Sequence, residues 1–99
     1  MSYALDPRYK KAIIKAVEYH FPEAKIILFG SRARGDNRPG SDVDIAIDTG
    51  KRTQLRELSR LRITLEHLPI ALNVDVVDMQ RIPEEFKQTI AQEGVIWKS

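Results

Sequence analysis

The sequence predicts an α/β (α+β) fold, in which helices flank a small mixed β-sheet. Segments with apolar residues at helical spacing alternate along the chain with short segments in which every second residue is apolar. Each kind of segment has one apolar side, and helices and strands can bury these sides by packing against each other. The chain has 99 residues, with 42% hydrophobic and 30% charged side chains, which is an ordinary globular composition. We therefore expect a single domain over residues 1–99.

Composition excludes several classes of function. The chain has no cysteine, which excludes disulfides, zinc fingers, thiolate catalysis and iron–sulfur ligation. The longest apolar run, residues 26–29, is too short to cross a bilayer, and the N-terminus lacks the apolar segment of a signal peptide. We therefore expect a cytoplasmic protein without membrane contact. A net charge of only +2 makes nucleic-acid binding an unlikely role.

The first half of the chain predicts a helix, a strand and a short helix. Asp6 and Pro7 are typical of a helix start, and Pro22 ends that helix. Residues 24–29 predict a strand, residues 31–35 one or two helical turns, and residues 36–41 a polar loop. The predicted apolar face of the first helix consists of Tyr9, Ala12, Ile13, Ala16, Val17 and His20.

The second half predicts two strands, two helices and a short edge strand. Alternation around residues 43–47 and again over residues 72–77 predicts strands, and residues 53–67 predict a long helix that ends before Pro69. Pro83 begins another helix, Gly94 ends it, and residues 95–97 predict the edge strand. The predicted buried side of the long helix consists of Leu55, Leu58, Leu61, Leu65 and Leu68.

The segment Asp42-Val43-Asp44 is the first candidate for chemistry. Residues i and i+2 of a strand share a face and lie about 6.6 Å apart, so both carboxylates can hold metal ions about 3.5–4 Å apart. Such pairs of metal ions are used in phosphoryl transfer. Taken alone, the segment is a weak signal, and an acidic strand surface that faces solvent is the favoured interpretation.

Asp75 strengthens the functional interpretation. If the third strand lies beside the second with their buried faces aligned, Asp75 joins Asp42 and Asp44. Three crowded carboxylates repel one another unless a cation compensates, and ligand sets made only of oxygen suit Mg²⁺ or Mn²⁺. Asp78 falls on the opposite face, and Asp48 lies about 13 Å beyond Asp44 along the strand, so neither is an expected ligand.

Gly30-Ser31 is the second candidate. These residues fall between a predicted strand and a short helix, where backbone N–H groups and a hydroxyl can bind an anion. Arg32 and Arg34 add positive charge beside them. The simpler interpretation is a helix start after a strand, with glycine permitting the turn.

The combination resembles a known superfamily. Gly30-Ser31, ten residues, Asp42-Val43-Asp44 and a later carboxylate on a strand together resemble the nucleotidyltransferases that include DNA polymerase β. The run FGSRARGDNRPGSDVDIAI, residues 29–47, resembles the minimal nucleotidyltransferase (MNT) branch. The resemblance implies a polymerase β palm-like fold over nearly the whole chain.

The resemblance also implies roles for the candidate residues. Asp42, Asp44 and Asp75 would be catalytic and would hold two Mg²⁺ ions, or Mn²⁺, with Asp75 nearer the acceptor hydroxyl. Gly30 and Ser31 would hold the β- and γ-phosphates of the nucleoside triphosphate, with Arg32 and Arg34 as helpers. The implied function is transfer of AMP from ATP to a hydroxyl of a HEPN-type partner protein, as the antitoxin of a HEPN/MNT toxin–antitoxin pair.

Two other functions remain open at the level of sequence. One is nucleotidyl transfer to a small molecule such as an antibiotic, for which relatives use an extra domain or a dimer. The other is a non-catalytic module that silences its partner by occlusion. Transfer to a small molecule differs from protein modification in the acceptor. Occlusion differs in that it does not need the carboxylates.

Overall fold

A computed structural model describes residues 5–99, so the first four residues of the predicted domain lie outside the described residues. Helices and strands follow one another in the predicted order. The elements are α1 (Pro7–His20), β1 (Lys25–Phe29), α2 (Ser31–Arg34), β2 (Val43–Asp48), α3 (Leu55–Glu66), β3 (Val74–Asp78), α4 (Glu84–Glu93) and β4 (Val95–Lys98).

The four strands form one mixed sheet in the order β3-β2-β1-β4. β1 is antiparallel to β2 and to β4, whereas β2 and β3 are parallel. The second and third strands are therefore neighbours, which is the condition on which Asp75 was expected to join Asp42 and Asp44, and β4 is an edge strand as expected. This order places the end of β1 beside the start of β2.

The sheet separates two apolar clusters. Side chains of β2 at Val43, Ile45 and Ile47 are fully buried against α1 and α3 on one face. On the other face, Ala46 and Phe29 pack with Ile90 of α4, and we call this the α4 face. On that face Phe86 of α4 packs against Phe29 at the end of β1, and Asp44 and Asp75 line a cavity beside these two rings.

The start of α1 is as predicted, and its cause is visible. The Asp6 side chain accepts a hydrogen bond from the backbone N–H of Arg8 at 2.9 Å, which satisfies one of the free donors of the first turn. Pro7 occupies the first helical position, where its missing N–H removes no helical hydrogen bond. The buried residues of this helix, Ile13, Ala16 and Val17, belong to the predicted apolar face.

The start of α3 differs from the prediction. The helix begins at Leu55 rather than at residue 53, because both the backbone N–H and the hydroxyl of Thr53 donate to Asp78 Oδ2, each at 2.8 Å. This interaction holds Thr53 outside the helix. The prediction that Leu55 is buried is wrong: it lies in the first turn, 61% exposed.

The third strand begins at Val74, two residues later than predicted. Leu72 and Val74 nevertheless pack against the α1 and α3 cluster, as the alternation predicts. Over residues 5–99, no helix combines the length and the apolar character needed to cross a membrane.

Candidate active site

Asp44 and Asp75 lie side by side on the α4 face. They are direct Cα partners in the parallel ladder between β2 and β3, and Phe29 is the partner of Asp44 on its other side. Neighbouring strands lie about 4.7–4.9 Å apart, so direct partners on one face are adjacent side chains. Asp42 immediately precedes β2 and is exposed. The sheet therefore brings together the two strand carboxylates that the sequence predicts to meet.

The pKa of Asp44 records this crowding. Partial burial raises the pKa of the Asp44 carboxyl, and the negative charges of Asp75 and then Asp42 raise it further. The positive charge of Arg34 acts in the opposite direction. Asp75, Asp42 and Arg34 therefore all act on Asp44, and burial together with the two neighbouring carboxylates disfavours its ionised form when no cation is bound.

Gly30 leaves the space that the Asp44 side chain fills. A Cβ built on Gly30 would lie 2.3 Å from Asp44 Oδ2 and 3.1 Å from its Cγ. The backbone of Gly30 also has φ 77° and ψ −158°, a conformation that is essentially restricted to glycine. Both the close approach and the backbone angle therefore require glycine at this position, which is a stronger requirement than permitting a turn.

Ser31 begins α2 directly beside this point. Among residues 5–99, the Ser31 hydroxyl has no hydrogen-bond partner, whereas every buried side-chain polar atom has one. The Ser31 hydroxyl is therefore not buried, and a ligand can reach it. Carbonyls of Gly30 and Ser31 accept the helical hydrogen bonds of Ala33 to Asp36, so the short helix holds the pair in place.

Arg32 contacts the loop before β2. Its Nε donates to the Ser41 carbonyl at 3.1 Å and its Nη2 to the Pro39 carbonyl at 3.0 Å. The Arg32 guanidinium therefore orders the segment that leads into Asp42. The sequence could not indicate this role, because it depends on how the loop of residues 36–41 folds back.

Arg34 bridges two carboxylates. Its Nε donates to Asp36 Oδ2 and its Nη1 to Glu93 Oε1, each at 3.1 Å. Hydrogen bonding to Asp36, and secondarily the charge and hydrogen bond of Glu93, raise the pKa of Arg34. Glu93 lies 59 residues away along the chain, so nothing local in the sequence pointed to this contact.

The two acids that the sequence excluded as ligands have structural roles. Asp78 is only 2% exposed and accepts hydrogen bonds from Thr53 and from the backbone N–H of Gln80. Asp48 accepts from the backbone N–H of Gly50 and from the Gln80 amide, and these hydrogen bonds lower its pKa. Neither carboxylate takes part in the cluster around Asp44.

Two cavities meet at Asp75. One, of about 430 Å³, contains both Asp44 and Asp75 and is walled by Phe29, Phe86 and Arg62. The other, of about 340 Å³, reaches Asp75 from the side of Asp42 and the loop before β3. Sequence reasoning missed Phe86 as part of this site, because an aromatic residue in a helix beginning after Pro83 resembles any other core position.

The carboxylates suit a divalent cation by their chemistry. The donors are oxygen atoms only, as Mg²⁺ and Mn²⁺ prefer. Within residues 5–99, no three His, Cys, Asp or Glu side chains are already arranged around one metal position. Because opposed carboxylates repel, their convergence would require the cation itself.

Comparisons of this chain with known proteins point to one family. The sequence model of the family described as polymerase beta, nucleotidyltransferase, matches residues 11–99. A candidate protein adenylyltransferase of Methanocaldococcus jannaschii is 35% identical over 68 residues, which is 69% of this chain and 72% of that protein.

Solved structures agree with this assignment. A toxin–antitoxin structure with AMP-PNP superposes with a TM-score of 0.77 at 26% identity, over 91% of this chain and 73% of the other. A minimal nucleotidyltransferase gives 0.70 at 26% identity, over 89% and 88% of the two chains. The MNT antitoxin bound to the tri-AMPylated HEPN toxin of Shewanella oneidensis gives 0.70 at 23% identity, over 93% and 71%, a likeness of fold alone.

The family model spans most of the chain, and the sheet pairs Asp44 with Asp75 beside Gly30. The chain therefore belongs to the polymerase β nucleotidyltransferase family, as a minimal nucleotidyltransferase domain.

Proposed function

We propose that this chain transfers AMP from ATP to a hydroxyl of a partner protein, and that the partner is a HEPN-type toxin. The observation that carries the proposal is the pairing of Asp44 with Asp75 directly beside Gly30. The similarity to a candidate protein adenylyltransferase and to a toxin–antitoxin structure with AMP-PNP supports this acceptor class.

In this proposal, Asp42, Asp44 and Asp75 hold Mg²⁺ or Mn²⁺. When bound, the cations would neutralise phosphate charge and orient the triphosphate. Gly30 and Ser31 bind the β- and γ-phosphates, and Arg34 supplies positive charge near the leaving pyrophosphate. Arg32 acts indirectly, by ordering the loop before Asp42.

The reaction is an in-line displacement at the α-phosphorus. The acceptor oxygen forms a bond to that phosphorus while the bond to the pyrophosphate oxygen breaks. Asp75, which is exposed and borders both cavities, accepts the hydrogen bond of the attacking hydroxyl and takes its proton. Catalysis then depends on positioning and charge neutralisation rather than on a tuned acid–base pair.

The test is intact mass spectrometry of a HEPN-type toxin that has been incubated with this chain, ATP and Mg²⁺. The wild-type chain is expected to add one or more AMP units, and the Asp42→Ala, Asp44→Ala double variant none. The control is the Glu84→Ala, Glu85→Ala double variant, which removes two exposed carboxylates from α4 and should leave the mass increment unchanged.

Two outcomes would contradict the proposal. If the toxin is silenced without a mass increment by both the wild type and the aspartate variant, the chain acts by occlusion. If AMP appears only on an added aminoglycoside, in the absence of any partner protein, the acceptor is a small molecule.

A further inference from the structure

Arg34 carries one positive charge, but it faces two negative ones. Asp36 binds its Nε and Glu93 its Nη1, so the three groups together have a net charge of −1. Phosphates entering the site therefore meet an arginine whose donors on two sides are already engaged. The Asp36 side chain is 61% exposed and the Glu93 side chain 27%, so Glu93 is the more firmly enclosed of the two partners.

The backbone places Glu93 at this position. Glu93 is the last residue of α4, and Ile90, one turn earlier, is fully buried on the α4 face. At Gly94 the chain passes so close to β1 that a Cβ would lie 2.5 Å from Ile27 Cγ2 and 2.4 Å from the Ile90 carbonyl oxygen. The end of α4 is therefore held against the sheet, and Glu93 projects from a rigid support toward α2.

We propose that Glu93 competes with the nucleotide phosphates for Arg34 and thereby sets the affinity of this site for polyphosphates. This inference rests on the proposed function, since it requires a nucleoside triphosphate at the site. Before the nucleotide binds, the Glu93 carboxylate accepts a hydrogen bond from the Arg34 guanidinium. When the triphosphate binds, phosphate oxygens replace that carboxylate. After transfer, return of Glu93 to Arg34 weakens the hold on pyrophosphate and favours its release.

Calorimetric titration with AMP-PNP and Mg²⁺ tests the proposal. Glu93→Gln keeps the size of the side chain and removes its charge. We expect its Kd for AMP-PNP to fall about two- to fivefold, the effect of one exposed ion pair. The Ki of pyrophosphate should fall as well, whereas the Kd for AMP, which lacks the β- and γ-phosphates, should change little. A purely structural role for Glu93 would not separate these ligands.

Two further variants isolate the cause. Glu85→Gln makes the same change in net charge at the exposed start of the same helix, and it should leave the Kd for AMP-PNP unchanged. In an Arg34→Gln background, Glu93→Gln should no longer tighten binding, because the two effects act through one guanidinium. The effect should also shrink between about 50 mM and about 500 mM salt.

An unchanged or weaker affinity for AMP-PNP in the Glu93→Gln variant would overturn the inference, provided that its thermal unfolding matches the wild type. If that variant is destabilised, Asp36→Asn tests the same competition from the other carboxylate that binds Arg34, and it should also tighten the binding of AMP-PNP. Failure of the wild type to bind AMP-PNP at all would instead contradict the proposed function, so the two failures are distinguishable.

Discussion

At the scale of the residue, the backbone conformation of Gly30 determines where the candidate catalytic carboxylate of Asp44 can lie. Its φ of 77° and the 2.3 Å approach of a would-be Cβ to Asp44 Oδ2 are separate requirements. The backbone conformation of Gly30 alone costs a non-glycine residue about 1–3 kcal/mol. The clash adds a second cost, which relaxes only if Asp44 turns away from the position that its role needs.

We therefore predict that Gly30→Ala lowers nucleotidyl transfer about 100-fold, because a displacement of about 1 Å at reacting groups has that effect. Gly50→Ala is the matched control: Gly50 has φ 85°, but nothing lies within 4 Å of its would-be Cβ. That variant should lose stability and keep its activity. Equal activity of the two variants in a mass-spectrometric assay would contradict the role assigned to Gly30.

For Asp44 we predict that a substitution stabilises the fold, in contrast to Gly50→Ala. The pKa of Asp44 is raised by burial and by Asp75 and Asp42, so folding favours its protonated form. Ionisation of Asp44 as the pH rises through its folded pKa therefore destabilises the fold. At neutral pH without divalent cations, Asp44→Asn should raise the Tm measured by circular dichroism.

Asp48 on the same strand serves as the comparison. Its pKa is lowered by hydrogen bonds from Gln80 and Gly50, so its ionised form stabilises the fold above its ordinary pKa, and this stabilisation is lost as the pH falls through the lowered value. Asp48→Asn should therefore lower the Tm at neutral pH. A lower Tm for both variants would refute the electrostatic account of Asp44.

At the scale of the element, the sequence predicted the elements better than their borders, since the starts of α3 and β3 were each misplaced by two residues. Alternation around Val43 and Val76 identified both faces of β2 and β3, because one face of each strand is buried. The start of α3 was misplaced, since it depends on a hydrogen bond from Thr53 to Asp78, 25 residues away. Tertiary contacts of this kind have no local signature, and the same is true of Arg32 on its loop and of Glu93 on Arg34.

The contact between Thr53 and Asp78 also predicts a stability effect. Thr53→Val removes a 2.8 Å hydrogen bond to a buried carboxylate, which we expect to lower the free energy of unfolding by about 1.5–3 kcal/mol. Thr89→Val is the control, because the Thr89 hydroxyl is exposed and donates to the Glu85 carbonyl one turn earlier. Urea denaturation should separate the two variants, and equal midpoints would mean that the buried contact contributes little.

At the scale of the whole molecule, the strand order decides whether the candidate residues form a site. The sequence indicated which face each carboxylate occupies, but only conditionally that β2 and β3 are neighbours, because the order of strands depends on long-range pairing. The order β3-β2-β1-β4 places Asp75, Asp44 and the end of β1 in consecutive positions across the sheet. With α1 and α3 on one face and α4 covering part of the other, the carboxylates remain open to a large acceptor.

A site assembled from α2, β2 and β3 should couple ligand binding to the stability of the entire domain. With Mg²⁺ and AMP-PNP at about 100 times its Kd, mass action adds about 2.7 kcal/mol to the free energy of unfolding. For a domain of 99 residues, we expect the Tm to rise by about 10–20 °C. The rise should vanish when EDTA replaces Mg²⁺, and also in the Asp42→Asn, Asp44→Asn variant. A full rise in EDTA would mean that the phosphates bind without the cation, and that Gly30, Ser31 and Arg34 alone hold the nucleotide.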